Sequence, residues 1–305
     1  MPHEIRRLLA AFAARPWFLD GRYVEQMMSV LELRSMGAVR VDAYRDQPAE
    51  VQPVSQNAGT IAIVRLCGPI MPRAEAVTDV SSPACLMSDF QRAFRQASSD
   101  PRVTGIVLDI YSSGGQVDLV PETVAMIRAA RRADRPIVAI ANSLAMSAAY
   151  WIGCGADEFV VTPSGEVGSI GAYVVHEDVS RMLEAAGVKM TFISEGPRKT
   201  EANPFEPLGD EARAHLQANT RAYYDMFVAD VAKARKVPVS LVRADPVTDD
   251  PNDKSFGGGR YYGSAEALRR GMVDRVATID EVIAGLQKRN VSRGRSTASA
   301  RAALL

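Results

Sequence analysis

The chain has 305 residues, with 36 Lys plus Arg against 36 Asp plus Glu, so its formal charge is zero. It is 47% hydrophobic and 24% charged, enough apolar material for one large domain or two small ones. The charge balance argues against an extended nucleic-acid footprint, and no run approaches the roughly 18 uninterrupted apolar residues of a membrane span.

In chain order, the first fifty residues read as a helical preface, with apolar stripes at Leu8, Leu9 and Phe12 and at Val24, Met27, Met28 and Leu31. Glu4, Arg6, Arg7 and Arg15 interrupt the N-terminus, which is unlike a secretory signal. The stretch DQPAEVQPVSQNAG has two prolines and no periodicity, so it is expected to be a linker. From Thr60 onward short apolar runs alternate with amphipathic segments. Strands are expected at Ile61–Leu66, Ile106–Ile110, Ile137–Ala141, Phe159–Thr162, Tyr173–Val175 and Met190–Ile193. Helices are expected on the Leu86–Ala97 face, at Val120–Ile127, from about Ser147, at Val179–Leu183, and along Leu216, Tyr223, Phe227 and Val231. This alternation predicts an α/β fold: stacked βαβ units with a mostly parallel sheet covered by helices. The division expected is a helical extension and linker at 1–58, a main α/β domain at 59–287, and a basic, disordered tail at 288–305. Cys67, Cys85 and Cys154 are odd in number and widely spaced, and are expected to be reduced packing residues.

Three segments carry possible chemistry, each just past an expected strand. Ser112-Ser113-Gly114-Gly115 places paired glycines where backbone N–H groups can face an oxyanion, although such a turn is more often only a tight connection. Ser147 stands at the start of a helix rich in small residues, where a hydroxyl either meets a positive dipole or simply caps the helix. Lys199 lies in the loop Glu195-Gly196-Pro197-Arg198-Lys199-Thr200, where a lysine is ordinarily solvated. Neither a metal nor another cofactor is expected, because no His/Cys/Asp cluster has ligand spacing and no GxxxxGK[ST] loop occurs.

Together the runs SSGGQVDL, SLAMSAAYWIGCGADEFVVTPSGEVGSIGAYV, GPRKTEANPFEPL and GRYYGSAEALRRGMVDRV resemble the signal peptide peptidase A family of serine peptidases, within the ClpP/crotonase superfamily. The likeness covers about residues 60–280 and is nearest to the phage branch of minor-capsid protein C and prohead proteases, to which RPWFLDGRYVEQMM is also similar. The resemblance implies a ClpP/crotonase-like fold and a Ser-Lys dyad, with Ser147 as nucleophile and Lys199 as general base. It further implies an oxyanion hole from the N–H groups of Gly114 and Ala148, and Ser169 as the residue that orients the lysine. One departure is Ser113, where the family usually has proline, which would preset φ. The resemblance also implies a ring-like or dome-like homo-oligomer acting on peptide or protein substrates, on the phage reading capsid, scaffold or portal proteins. With no membrane span, the expected location is the cytoplasm, or the prohead if phage-derived.

A lysine accepts a proton only when neutral, and its reference pKa is about 10.4, so a lysine base is expected to be desolvated and without a carboxylate partner. Glu195 and Glu201 must then point elsewhere. His176 is a rival base in a Ser-His arrangement, although a surface histidine describes it best. Three other readings remain open: a cytosolic signal-peptide-peptidase-like protease, a crotonase-like acyl-CoA enzyme, which needs neither Ser147 nor the lysine loop, and a capsid or scaffold component whose site has decayed.

Overall fold

A computed structural model describes residues 17–19, 51–56, 59–73, 84–245, 250 and 252–302. The helical stripes expected around Leu8–Phe12 and Val24–Leu31 lie outside the described residues. Trp17–Leu19 forms a strand, β1.

The β-branched and aliphatic runs of the middle of the chain become the strands of one sheet. They are β3 (Gly59–Cys67), β6 (Val103–Ser112), β8 (Ile137–Met146), β9 (Glu158–Val161) and β10 (Glu166–Gly168). β3, β6, β8 and β10 are successive parallel neighbours, and β9 pairs in parallel with β8 and with β12 (Arg275–Val276). Antiparallel strands close both edges: β2 (Val51–Gln56) on β3 and β11 (Tyr261–Gly263) on β10. The expected α/β, mostly parallel architecture is therefore the observed one. β8 serves two neighbours in turn. Val138–Ala141 pairs with β9, the register against β6 shifts past Asn142 and Ser143, and Leu144–Met146 then pairs with β10. A second, small sheet holds β4 (Ile70–Met71), β5 (Cys85–Leu86) and β7 (Gly114–Gln116), in the order β1-β7-β4-β5.

Alternation along each strand sorts the side chains onto two faces. Ala62, Val64, Leu66, Ile106 and Leu108 join the larger core with α1 (Met87–Ser99), α2 (Val120–Ala129), the six-residue α3 (Ala148–Gly153) and the long α5 (Asp210–Arg235). Ile61, Ile63, Val107, Val138 and Ile140 face Val282 and Leu286 of the C-terminal helix α8 (Ile279–Ala302). α3 is pinned to α5 by a ring stack of Trp151 on Phe227, 4.8 Å between centroids, and by the Trp151 indole N–H donating to Asp230 at 2.8 Å. The remaining helices are short: α4 (Ser180–Ala185), α6 (Val239–Arg243) and α7 (Ser264–Arg270).

Four expectations are corrected. The connector expected at the end of 1–58 contains β2, where Pro53 is tolerated because the strand lies at a sheet edge. The boundary expected at 288 falls inside a helix: α8 continues to Ala302, and the Asn290 amide donates to Thr104 Oγ1 at 2.7 Å. Tyr173–Val175 and Met190–Ile193 are not strands, and the segment from 172 to 209 is irregular apart from α4. Its apolar side chains have no sheet to join, and Met190, Phe192 and Ile193 are exposed. Cys67 is exposed at the end of β3, whereas Cys85 and Cys154 are buried packing residues. Among the described residues no helix is long and apolar enough to cross a membrane.

Candidate active site

The C-terminal ends of β6, β8 and β10 lie side by side, with Ser112 opposite Ala145 and Gly168 opposite Met146. The candidate residues follow directly from those ends. Past β6, the buried Ser112 hydroxyl donates to the Gly68 carbonyl at 2.7 Å and accepts the Gly114 N–H at 3.2 Å. That staple does part of what the absent proline would do. Gly114 has φ +99°, which side-chain-bearing residues rarely adopt, and Gly115 is needed for a different reason: a Cβ there would lie 2.0 Å from the Ile70 oxygen. The Gly-Gly pair is thus a required turn, and its 3.2 Å amide bond sits at the long end of the hydrogen-bond range.

Ser147 follows β8 with φ 54° and ψ −120°, a conformation costing about 1–3 kcal/mol for a non-glycine residue. Its N–H donates to the Gly168 carbonyl at 2.7 Å and its carbonyl accepts the Trp151 N–H at 3.0 Å, so the main chain is held from both sides. The hydroxyl makes no capping hydrogen bond to α3, although Ser147 is the residue that precedes it. The residue is 1% exposed. The helix-cap role weighed from the sequence is therefore not the one it fills. Ala148 opens α3, in the first turn, where N–H groups have no intrahelical acceptor.

Ser169, buried and at φ 56°, comes one residue after the carbonyl that holds Ser147, and its own N–H donates to the Arg260 carbonyl at 2.7 Å. Gly168 is clamped as well: a Cβ there would lie 2.8 Å from the Arg260 oxygen. Gly114, Ser147, Ala148 and Ser169 are thus gathered at one end of the sheet.

Lys199 stands apart. It lies in the irregular segment, its N–H donates to the Gly196 carbonyl at 3.1 Å, and its side chain is exposed. The expectation of a desolvated amine is not met in the single chain, because nothing in that segment covers it. The second half of that expectation fares differently. Glu201 pairs with Arg198 at 2.7 Å, Arg198 also reaches Glu211, and among the described residues no ion pair involves Lys199. His176 is half-buried, its Nε2 lies 3.1 Å from the Asn203 carbonyl, and it borders a groove of about 640 Å³ between the 172–178 stretch and α5.

The model of peptidase family S49 matches residues 129–292, a span that includes Ser147, Ser169 and Lys199 and begins after Gly114. The chain belongs to peptidase family S49. Proteins similar to it include capsid assembly protease C of Escherichia phage lambda, 28% identical over 243 residues, covering 78% of this chain and 52% of that protein. Protease 4 of Salmonella typhi is 30% identical over 230 residues, covering 75% of this chain and 34% of that one. The chain thus spans between a third and about half of these relatives' lengths. Solved structures similar to it include a mutant of the 1510-N membrane-bound stomatin-specific protease, at 15% identity, TM-score 0.41, covering 72% of this chain and 81% of that one.

Two residues of this candidate site carry geometry that sequence reading did not assign. Ser112 belonged to the motif as quoted, but its link to Gly68 crosses 44 positions and leaves no local signal. Gly168 was given no role of its own from the sequence, while its carbonyl is what holds the Ser147 backbone N–H.

Proposed function

We propose that the chain is a serine endopeptidase working through a Ser-Lys dyad. The observation that carries the reading is Ser147: a buried serine at a strand end, in a strained backbone conformation, whose hydroxyl is not used as a helix cap. Strain of this kind persists only where the surroundings over-determine it, and it clusters at functional sites. The chemistry proposed starts with attack of the Ser147 oxygen on the scissile carbonyl as its proton passes to the neutral Lys199 amine. The carbonyl oxygen becomes an oxyanion received by the Ala148 N–H and by the Gly114 N–H, which must turn from its long 3.2 Å bond to Ser112 Oγ to do so, each worth about 3–4 kcal/mol by comparison with measured oxyanion holes. The C–N bond then breaks, the lysine proton goes to the leaving amine, and a seryl ester remains. Water attacks that ester, gives a proton to Lys199, and releases the acid and the free serine. Ser169 positions the lysine.

An exposed ammonium is no base near neutral pH, so this reading requires Lys199 to be covered. Support comes from the same segment, where Val188, Met190, Phe192 and Ile193 are exposed, with Ile193 at 99%. An apolar patch of that kind marks an interaction surface. A second copy of the chain laid over it would dry the amine, in keeping with a homo-oligomer whose sites face a shared cavity. The name of the phage lambda relative supports capsid or scaffold proteins as substrates and the prohead or host cytoplasm as the place of action.

The test is hydrolysis of casein and of a fluorogenic peptide by the wild type, Ser147→Ala and Lys199→Ala across pH, with fluorophosphonate labelling in parallel. Wild-type activity rising with pH, stoichiometric labelling at Ser147, and loss of both activities in the variants are expected. Hydrolysis that persists in Ser147→Ala, or a Lys199→Ala enzyme with wild-type rates, defeats the dyad. Turnover of acyl-CoA thioesters without labelling would favour the crotonase-like alternative.

A further inference from the structure

The strand that begins at the candidate oxyanion glycine, β7, has two edges. On one, Ile70 of β4 pairs with Gly115 in parallel, so closely that there is no room for a Cβ on the glycine. On the other lies Trp17–Leu19, antiparallel, with Leu19 opposite Gly114, Phe18 opposite Gly115 and Trp17 opposite Gln116. β1 is the outermost strand of that small sheet among the described residues. A peptide whose scissile carbonyl is to reach the Gly114 N–H must lie extended beside β7. An extended peptide satisfies its own N–H and C=O groups by adding to a sheet edge, and this is how such peptides are commonly bound. The β4 edge is closed, which leaves the edge that Trp17–Leu19 already holds.

We infer that Trp17–Leu19 is a built-in stand-in for substrate: a segment of the chain itself that occupies the peptide-binding edge of β7 and must leave before a substrate strand pairs there. The inference rests on the peptidase reading above, because only that reading places a scissile carbonyl at Gly114. The pairing has the two properties such a device needs. It is short, three residues against three, and short strand pairings are marginal on their own, so it is displaceable. It is also intramolecular, so it competes with a free peptide without a second molecule having to be recruited. A substrate then binds only the fraction of molecules with the edge open, so its apparent affinity falls by that fraction while the chemistry at Ser147 is unchanged. A longer substrate that continues pairing beyond Gln116 gains contacts that the three-residue segment does not offer, so the device discriminates against short peptides.

Hydrogen-bonded pairs alternate along an antiparallel ladder, so two variants of the full chain cover both phases: Phe18→Pro, and Trp17→Pro with Leu19→Pro. Amide exchange followed by mass spectrometry should show faster exchange in the peptide covering Gly114–Gln116 for at least one of them. For that variant, KM for a short fluorogenic peptide should fall about tenfold, as expected if the docked form is favoured ten to one, with kcat within twofold. A synthetic peptide with the sequence of residues 15–21 should then inhibit it competitively. Unchanged exchange in both variants would mean that the segment does not dock, and faster exchange with unchanged KM would mean that substrate binds elsewhere; either overturns the inference. Removal of the segment in wild type but not in Ser147→Ala would make it a substrate and overturn it too. Ser147 labelled and active with KM unmoved leaves the peptidase standing without this device, whereas no labelling and no hydrolysis in any form removes both.

Discussion

The ends of β6, β8 and β10 and the segment from 172 to 209 contribute to one proposed site and are built in opposite ways. At the strand ends the candidate residues are buried, and three of the four have a backbone held by a named partner: Gly114 by Ser112, Ser147 by Gly168, Ser169 by Arg260. In the segment that carries Lys199 the chain is irregular, its side chains are largely exposed, and its apolar residues meet water. The nucleophile side is organised by the single chain and the base side is not. The physical lesson is that backbone N–H groups and a strained serine can be preorganised by hydrogen bonds within one fold, whereas a neutral lysine needs a dry environment, which takes area that one chain here does not provide.

The largest expected effect breaks both halves at once. Ser147→Ala and Lys199→Ala should each lower kcat for peptide hydrolysis by about 10⁴-fold or more, since groups acting as a unit are lost together, with no change in the urea midpoint. His176→Ala should stay within about twofold of wild type, because its ring is engaged with the Asn203 carbonyl. A loss in His176→Ala as deep as that in Ser147→Ala would move the base to the histidine and erase the contrast.

The next effect concerns the open half alone. Ile193→Asp or Phe192→Asp puts a charge into the patch that a second copy is proposed to cover. An unpaired charge buried there costs about 3–5 kcal/mol, so association should weaken by at least two orders of magnitude and activity should fall with it. Ile193 is 99% exposed in the single chain, so Ile193→Asp should leave the fold untouched, whereas Phe192→Asp also removes a ring contact with Phe205. Sedimentation velocity and the hydrolysis rate, measured on the same samples, check this. Activity kept by a monomeric variant would show that one chain suffices.

The closed half is tested by Gly115→Ala. The added methyl would meet the Ile70 carbonyl at 2.0 Å, a backbone atom that cannot step aside like a flexible side chain. Overpacking of this kind costs about 1–3 kcal/mol, and here it should also shift the Gly114 amide. Urea unfolding and kcat should fall together. Stability lost with kcat retained would mean that the turn's geometry is not coupled to the chemistry.

The same contrast governs what was legible in the amino-acid sequence. β3, β6, β8 and β9 were readable because runs such as Ile61–Leu66 and Ile106–Ile110 are apolar on both faces, as strands buried within a helix-covered sheet must be. Gly114 and Ser147 stood out in the sequence as lying in segments past the expected strands Ile106–Ile110 and Ile137–Ala141, whereas Ser169 entered only through the family resemblance, because the three-residue β10 before it was not expected. The stretch Met190–Ile193 carried the same apolar signal as a core strand and was misread, because sequence records that a residue avoids water without recording which surface it meets. Val51–Gln56 failed in the other direction. Its Gln, Ser and Pro content reads as a connector, yet an antiparallel edge strand is free to be polar. The exposure of Lys199 is what a lysine in a Gly/Pro-bounded loop ordinarily shows, whereas the desolvation expected of a base was not legible, because it depends on what packs from outside.

The smallest effect lies beneath the closed half. Asp274 receives the Phe159 N–H at 2.7 Å and both terminal nitrogens of Arg235, at 3.0 and 2.8 Å, and its own N–H donates back to the Phe159 carbonyl at 2.8 Å. These bonds fix β9 against the helix end, and β9 in turn backs the first half of β8. Burial pushes the carboxyl up, but the Arg235 guanidinium and the Phe159 N–H outweigh it and hold it below the ordinary aspartate value. A depressed carboxyl stabilises the fold above its unfolded pKa of about 3.9, and that contribution disappears as pH falls through the folded value. Because the side chain is 41% exposed, solvent screening trims the gain, and Asp274→Asn should cost about 1 kcal/mol at pH 7. Urea midpoints of wild type and variant should therefore differ at pH 7 and converge at pH values well below 4, while kcat at pH 7 stays near wild type. A gap that persists unchanged into acid would assign the loss to packing at position 274 and not to the charge, leaving the support under β8 without its electrostatic part.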